Sequence, residues 1–363
     1  MVRALSTGDL NRAVLERQLL LRRRRLGVDR AVERVAGLQS QYAPSPYIRL
    51  WSSLEGFTLG ALTSALERRR VVQATLMRST IHIVSAQDFW LLAAGVGPSL
   101  QAWRLRAQSR SSEGGLDLEA AQLSVRARLA GRVWPRKELD AVLGEQRSSV
   151  WSGIWVPMVR VPPSGTWERR RADHFQLAEE WLGPSDADEE RGLLHLLLRY
   201  VGGFGPATIG DAASWAGVPA GKLAEAAQRL HLRSLRGPDG TELIDLPRAP
   251  LPGAETPAPP RFIGTWDAAL LVHCRRAVII PEEYRPRIFH TKAPQSYPTF
   301  LVDGSVRGTW KSERSGGGAI LRIEPFEPIP RRTVGPLKEE AAALVRFVEP
   351  DAERHEVALT APS

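Results

Sequence analysis

Cysteine is almost missing from this chain: Cys274 is the single one among 363 residues. No disulfide can form within the chain, and a thiolate metal cluster is ruled out. Long apolar runs are missing too, none approaching the ~18 residues that a membrane-spanning helix needs. The opening Met1-Val2-Arg3-Ala4-Leu5-Ser6 lacks the apolar core of a secretory signal. There is no Gly-rich phosphate loop, no His-Glu-x-x-His zinc helix and no Gly-x-Ser-x-Gly elbow. The seven histidines are scattered, with none at helical metal-ligand spacing from another. These absences set aside most enzyme classes. They predict no metal, no cofactor and no membrane partner, and a cytoplasmic location.

What is abundant is positive charge. The net charge is +9, with an isoelectric point of about 10.2. Such an excess favours an anionic partner, because neutralising phosphates releases condensed counterions. A chain rich in arginine throughout would carry the same excess. The length, too great for one ordinary core, predicts two or three domains.

Along the chain a pattern recurs: a few helices, then a short hairpin rich in Pro and Gly. In the first round, Thr7 or Asp9 caps a helix from Leu10 to Leu21. Asp29 starts a second helix, with Val32, Val35, Ala36 and Leu38 on one face, which must end by Pro44. A helix over Leu59 to Arg69 precedes an extended Val71 to Leu76 and a strand over Arg78 to Val84. The second round has helices over Leu116 to Leu129 and Pro135 to Leu143. It closes on a wing, Val159 to Arg169, turned by Pro163-Ser164-Gly165. The third runs through helices Glu189 to Val201, Thr208 to Trp215 and Pro219 to Leu230, with Gly217 in the turn of a helix-turn-helix. Its hairpin, Leu232 to Leu235 and Glu242 to Leu246, turns at Gly237-Pro238-Asp239-Gly240. A Pro/Ala linker spans Arg248 to Pro260. Strand candidates at Ala277 to Ile280, Thr299 to Val302 and Ala319 to Ile323 follow, and a helix from Leu337 to Phe347 ends a β-rich element. The resulting regions are 1–110, 111–185, 186–250 and 261–363.

Gln39-Ser40-Gln41 sits where the second helix must break. Residues two apart point in different directions on a helix but share one side of an extended chain. A chain that unwinds before Pro44 therefore aims both amides into one space, where they could hold a water or a ribose oxygen. A polar helix end turned to solvent would have the same composition. Arg78, Thr80 and His82 alternate along a strand and could meet a phosphate or a base edge. The hairpin around Asp303-Gly304 carries Arg307 and Lys311, and a basic hairpin can enter a DNA groove. Arg22 to Arg25, Arg24 among them, offer a phosphate-contacting patch.

Five short marks occur together: Leu38-Gln39-Ser40-Gln41 with a following Ser-Pro pair; Arg78-Ser79-Thr80-Ile81-His82; Pro162 to Trp167; Gly203-Phe204-Gly205-Pro206-Ala207-Thr208; and Val302-Asp303-Gly304 with Gly308-Thr309-Trp310. In this order they resemble the AlkZ/YcaQ-like winged-helix DNA glycosylases, over nearly the whole chain. The resemblance implies a mainly α fold with β wings: three tandem winged-helix motifs plus a small β-barrel-like element. It implies excision of N7-alkylated guanine from double-stranded DNA by a monomer, bulky adducts and interstrand crosslinks included, for repair or self-resistance. Gln-x-Gln marks one branch and Gln-x-Asp the other, so Gln39 and Gln41 are the expected catalytic pair. An N7-alkylguanine is already cationic and leaves as a neutral base, so positioning a water can replace acid catalysis. With no lysine near Gln39 for a Schiff base, the reaction is expected to be monofunctional. The rival reading is a winged-helix transcription regulator without catalysis, which would bind paired half-sites. A damage sensor or architectural protein that kept the fold and lost the enzyme is a third.

Overall fold

The computed structural model describes residues 3–108, 118–143, 153–271, 278–290 and 295–362, in a mixed α and β architecture. Helix α1 (Thr7–Arg17) opens on Ser6, one residue before the expected cap. The Ser6 hydroxyl accepts from the Asp9 N–H while the Asp9 carboxylate accepts from the Ser6 N–H, a capping box that fixes the start. Helix α2 (Val28–Arg34) is shorter than its apolar spacing predicts. Ala36 at φ 62° and Gly37 at φ 87° turn the chain out of the helix. Leu38–Gln39 is consequently a strand, β1, and Pro44 opens helix α3 (Pro44–Ser53) rather than merely ending its predecessor.

After α4 (Leu59–Glu67) come β2 (Val71–Thr75), β3 (Ile81–Ser85) and the long helix α5 (Ala86–Gln108). The strand expected from Arg78 starts only at Ile81, because Arg78 and Ser79 take positive φ values of 53° and 60° in a tight turn. Beyond α6 (Leu118–Leu129), β4 (Trp134–Pro135) and α7 (Arg136–Leu143), strand β5 (Met158–Arg160) pairs with β6 (His174–Leu177). The expected return strand at Thr166 to Arg169 is a loop instead. Its cause is Ser164, whose hydroxyl accepts from the N–H groups of Asp173 and His174 and donates to the Arg171 carbonyl. All six strands join one sheet in the order β1-β3-β2-β5-β6-β4. Leu116 lies outside the described residues.

Helix α8 (Glu189–Phe204) packs along α5, followed by α9 (Ile209–Ala216) and α10 (Ala220–Gln228), joined through Gly217 in the left-handed region. The hairpin β7 (Arg233–Arg236) and β8 (Glu242–Asp245) forms as expected. It is tied to α1 by a buried ion pair: Arg17 Nη1 lies 2.6 Å from Asp245 Oδ1, both side chains at 0% exposure.

The C-terminal sheet is open, not barrel-like. Its order is β13 (Arg354–Leu359), β12 (Gly318–Pro325), β11 (Ser305–Ser315), β10 (Thr299–Val302), β9 (Arg261–Ile263), so β9 and β13 are opposite edges. Helix α11 (Arg331–Val348) packs on one face and delivers β13 parallel to β12. Val278 to Ile280 form a buried bend rather than a strand; Ala277 and Cys274 lie outside the described residues. Among the described residues no helix is long and apolar enough to cross a membrane.

Candidate active site

Gln39 owes its position to the short strand β1. Its cross-strand partner on β3 is His82, whose partner on β2 is Ala74. Aligned positions put side chains on one face of a sheet. This face packs against the helices of the third group, since Ala74 and Val84 share a core cluster with Trp215 and Ala216. Gln39 is buried at 6% exposure, whereas Gln41 is exposed.

The extended backbone brings the two amides together: Gln39 Nε2 donates to Gln41 Oε1. Arg78 fixes the direction of that bond. Its Nη2 donates to Gln39 Oε1 at 3.0 Å, and its Nη1 to the Trp215 carbonyl. A guanidinium can only donate, so Gln39 must turn its oxygen to Arg78 and its NH2 to Gln41. Gln41 must then receive on its oxygen. One cation thus orients both carboxamides, and a lone pair of Gln41 Oε1 together with the Gln41 NH2 face outward.

Arg78 reaches this position through its left-handed backbone, seated under Gly217. A Cβ built on Gly217, itself at φ 75°, would lie 3.2 Å from both the N and Cα of Arg78. The turn between α9 and α10 therefore contributes to the Gln39 site.

His82 is only 1% exposed and presents no surface to DNA, contrary to its assignment as a contact. Nδ1 lies 3.0 Å from the Thr80 carbonyl and so carries the proton, leaving Nε2 as a bare acceptor with no partner among the described residues. Burial pushes the imidazole pKa down to about 3, and the Arg78 charge adds to the effect. A neutral ring beside Gln39 is neither an acid nor a phosphate anchor.

The other residues named from sequence are placed apart from this pair. Thr80 Oγ1 donates to the Met77 carbonyl. Arg24 pairs with Glu16, Arg23 with Glu340 and Arg25 with Glu55, so this arginine patch is largely neutralised within the chain. Arg307 lies 3.5 Å from Glu327, and Lys311 lies between Glu313 and Glu324. The Asp303-Gly304 turn is packed on α1. Arg12 Nη2 lies 2.5 Å from Asp303 Oδ1, and Asn11 Nδ2 donates to the Gly304 carbonyl at 2.8 Å.

Sequence reading missed Trp215 and Gly217 as neighbours of Arg78, because they meet it only through the tertiary fold. It also missed Asp267, which lines a polar pocket with Gln39. Asp267 sits in an aperiodic Gly264-Thr265-Trp266-Asp267 segment that carries no motif. Among the described residues, no group of three or more His, Cys, Asp or Glu side chains is placed to hold a metal ion.

Two comparisons bear on this arrangement. A family model described as DNA glycosylase AlkZ-like matches residues 32–347. The solved structure of Streptomyces sahachiroi DNA glycosylase AlkZ matches with a TM-score of 0.79 at 18% identity, over 98% of this chain and 100% of that one, which is a likeness of fold. No curated protein sequence gives a significant match.

Proposed function

The chain belongs to the AlkZ-like DNA glycosylase family, and on that premise we propose that Gln39 and Gln41 are the groups that seat the attacking water on an N7-alkylated guanine nucleotide. As a member of that family the chain is a DNA glycosylase and a DNA-repair protein, not a regulator without catalysis. The three helix groups, each followed by a short strand pair, are read as three winged-helix units carrying one active site.

The observation that carries the reading is the ordered relay from Arg78 through Gln39 to Gln41. Two amides held in one orientation are a poor acid but a good template. That suits a leaving group which already carries positive charge and departs neutral. The outward lone pair of Gln41 Oε1 accepts a proton of the water, turning the water oxygen's own lone pair toward the anomeric carbon. The Gln41 NH2 donates to the sugar or its phosphate. Positioning of this kind contributes up to ~7–11 kcal/mol where the bound geometry is near attack. Gln41 is exposed, so the lesion can be met at the surface. Bulky adducts and crosslinks, which cannot be fully extruded into a tight pocket, fit such a site. The enzyme acts as a monomer without a covalent intermediate.

The test compares base release from duplexes containing N7-methylguanine, a bulky N7-alkylguanine, an N7–N7 crosslink, or no lesion. Release from the N7-alkylated duplexes, ending at an intact abasic site, is expected. Strand cleavage, or release confined to neutral lesions, overturns the reading.

A further inference from the structure

The amides leave one part of the reaction without an owner. A water that attacks the anomeric carbon must lose a proton, and a carboxamide is too weak a base to keep it. Gln39 also lines a small polar pocket, with Gln18, Ser45, Arg49 and Asp267 among the other walls. Its volume is about 10 Å³, the room of one water molecule.

Asp267 is the carboxylate of this pocket. Its Oδ2 lies 3.1 Å from Arg49 Nε, and its Oδ1 accepts from the Ala269 N–H at 2.8 Å. A carboxylate has about four lone-pair sites, so acceptor capacity remains. The segment that carries it is pinned beside the Gln39 motif. Ser45 Oγ and Thr265 Oγ1 are 2.9 Å apart, and a Cβ on Gly264 would lie 3.0 Å from Ser45 Cα. Trp266 takes φ 58°, a left-handed conformation for a bulky residue, and its N–H donates to Ser296 Oγ. A structural ion pair alone does not require Asp267 to share a water-sized pocket with Gln39.

We infer that Asp267 accepts the proton shed by the attacking water seated on Gln41, by way of a second water held in the pocket beside Gln39. This inference rests on the reading of Gln39 and Gln41 above. In the step, the C1′–N9 bond breaks and its electron pair goes to the base, which leaves neutral. The oxygen of the water on Gln41 bonds to C1′, and the proton that it sheds passes through the pocket water to Asp267, later to solvent. Burial raises the Asp267 carboxyl above its ordinary value, against the opposing charge of Arg49. That direction makes it a better base than an exposed aspartate. Arg49 on α3 is the charged group that acts on it; Arg78 and His82, from the turn before β3 and from β3, face Gln39.

The experiment is single-turnover release of N7-methylguanine from duplex DNA, as a function of pH, by the wild type and by Asp267→Asn. The variant keeps the shape and the acceptor for the Ala269 N–H. It is expected to slow release by ~10²–10⁴-fold with duplex affinity unchanged. The fall of the wild-type rate on acidification is expected to vanish in the variant. Unchanged release, or a variant that loses only thermal stability, overturns the inference and leaves the glutamine reading standing. Should Asp267→Asn not fold, the wild-type profile decides, since a rate that does not fall with acidification overturns it as well. A wild type that releases no N7-methylguanine overturns both readings together.

Discussion

Arg78 Nη2 donates to Gln39 Oε1 at 3.0 Å, and this bond sets which way both glutamine amides face. The motif Arg78-Ser79-Thr80-Ile81-His82 read naturally as a phosphate-facing strand. The positive φ of Arg78 instead turns its side chain inward, onto Gln39 and Trp215. Arg78→Lys retains the charge but not the fork that reaches both partners. Single-turnover base release should fall by roughly 10–100-fold, the scale of a misplaced catalytic group. The slope of DNA affinity against salt should not change. A slope lower by about one would mean that Arg78 contacts a phosphate after all.

Gly217 supports the same relay from the other side. Gly217→Ala adds a Cβ 3.2 Å from the Arg78 backbone, at a residue whose φ is 75°. The left-handed conformation alone should cost about 1–2 kcal/mol, read from denaturant midpoints. Base release should slow with it, because Arg78 must shift. A variant equally stable and equally active would show that the turn after α9 does not hold the site.

How much of this was legible in the sequence follows from range. The helix-turn-helix from Thr208 to Leu230 and the hairpin from Arg233 to Asp245 were readable because caps, Gly217 and a Gly-containing turn are local signals. The extended state of Gln39 was foreseen only as a possibility, since Ala36 at positive φ carries no signature in its residue type. The return strand expected at Thr166 to Arg169 comes later, at His174–Leu177, with the hydroxyl of Ser164 tying down the loop between. Arg307 and Lys311 looked free for DNA because residue type does not show pairing: Glu313 lies on the strand of Lys311, Glu324 on the adjacent β12 and Glu327 just beyond it. Asp267 and Gln39 are 228 positions apart in a 363-residue chain, and only the fold joins them.

The ion pair between Arg17 and Asp245 links α1 to the third group without solvent contact, and Arg233 adds a second cation at 2.6 Å from Asp245 Oδ2. Asp245→Asn strands a buried guanidinium. The loss should be about 3–5 kcal/mol by chemical denaturation. A loss below about 1 kcal/mol would mean that water reaches the pair.

His82 makes stability depend on pH. Its folded pKa of about 3 lies below the ordinary 6.5, so below that ordinary value the unfolded chain binds a proton that the folded chain refuses. Stability attributable to His82 is therefore intact at neutral pH and is lost as pH falls, by about 1.4 kcal/mol per unit. Denaturation curves across that range should be flatter for His82→Leu than for the wild type. Parallel curves would place the pH dependence elsewhere.

The most direct test of the central claim is single-turnover release of N7-methylguanine by the Gln39→Ala, Gln41→Ala double variant, with duplex affinity measured alongside. Two groups that act by positioning should together account for a loss on the order of 10⁴-fold or more, with affinity little changed. A double variant that binds the damaged duplex and releases the base at the wild-type rate would contradict the account.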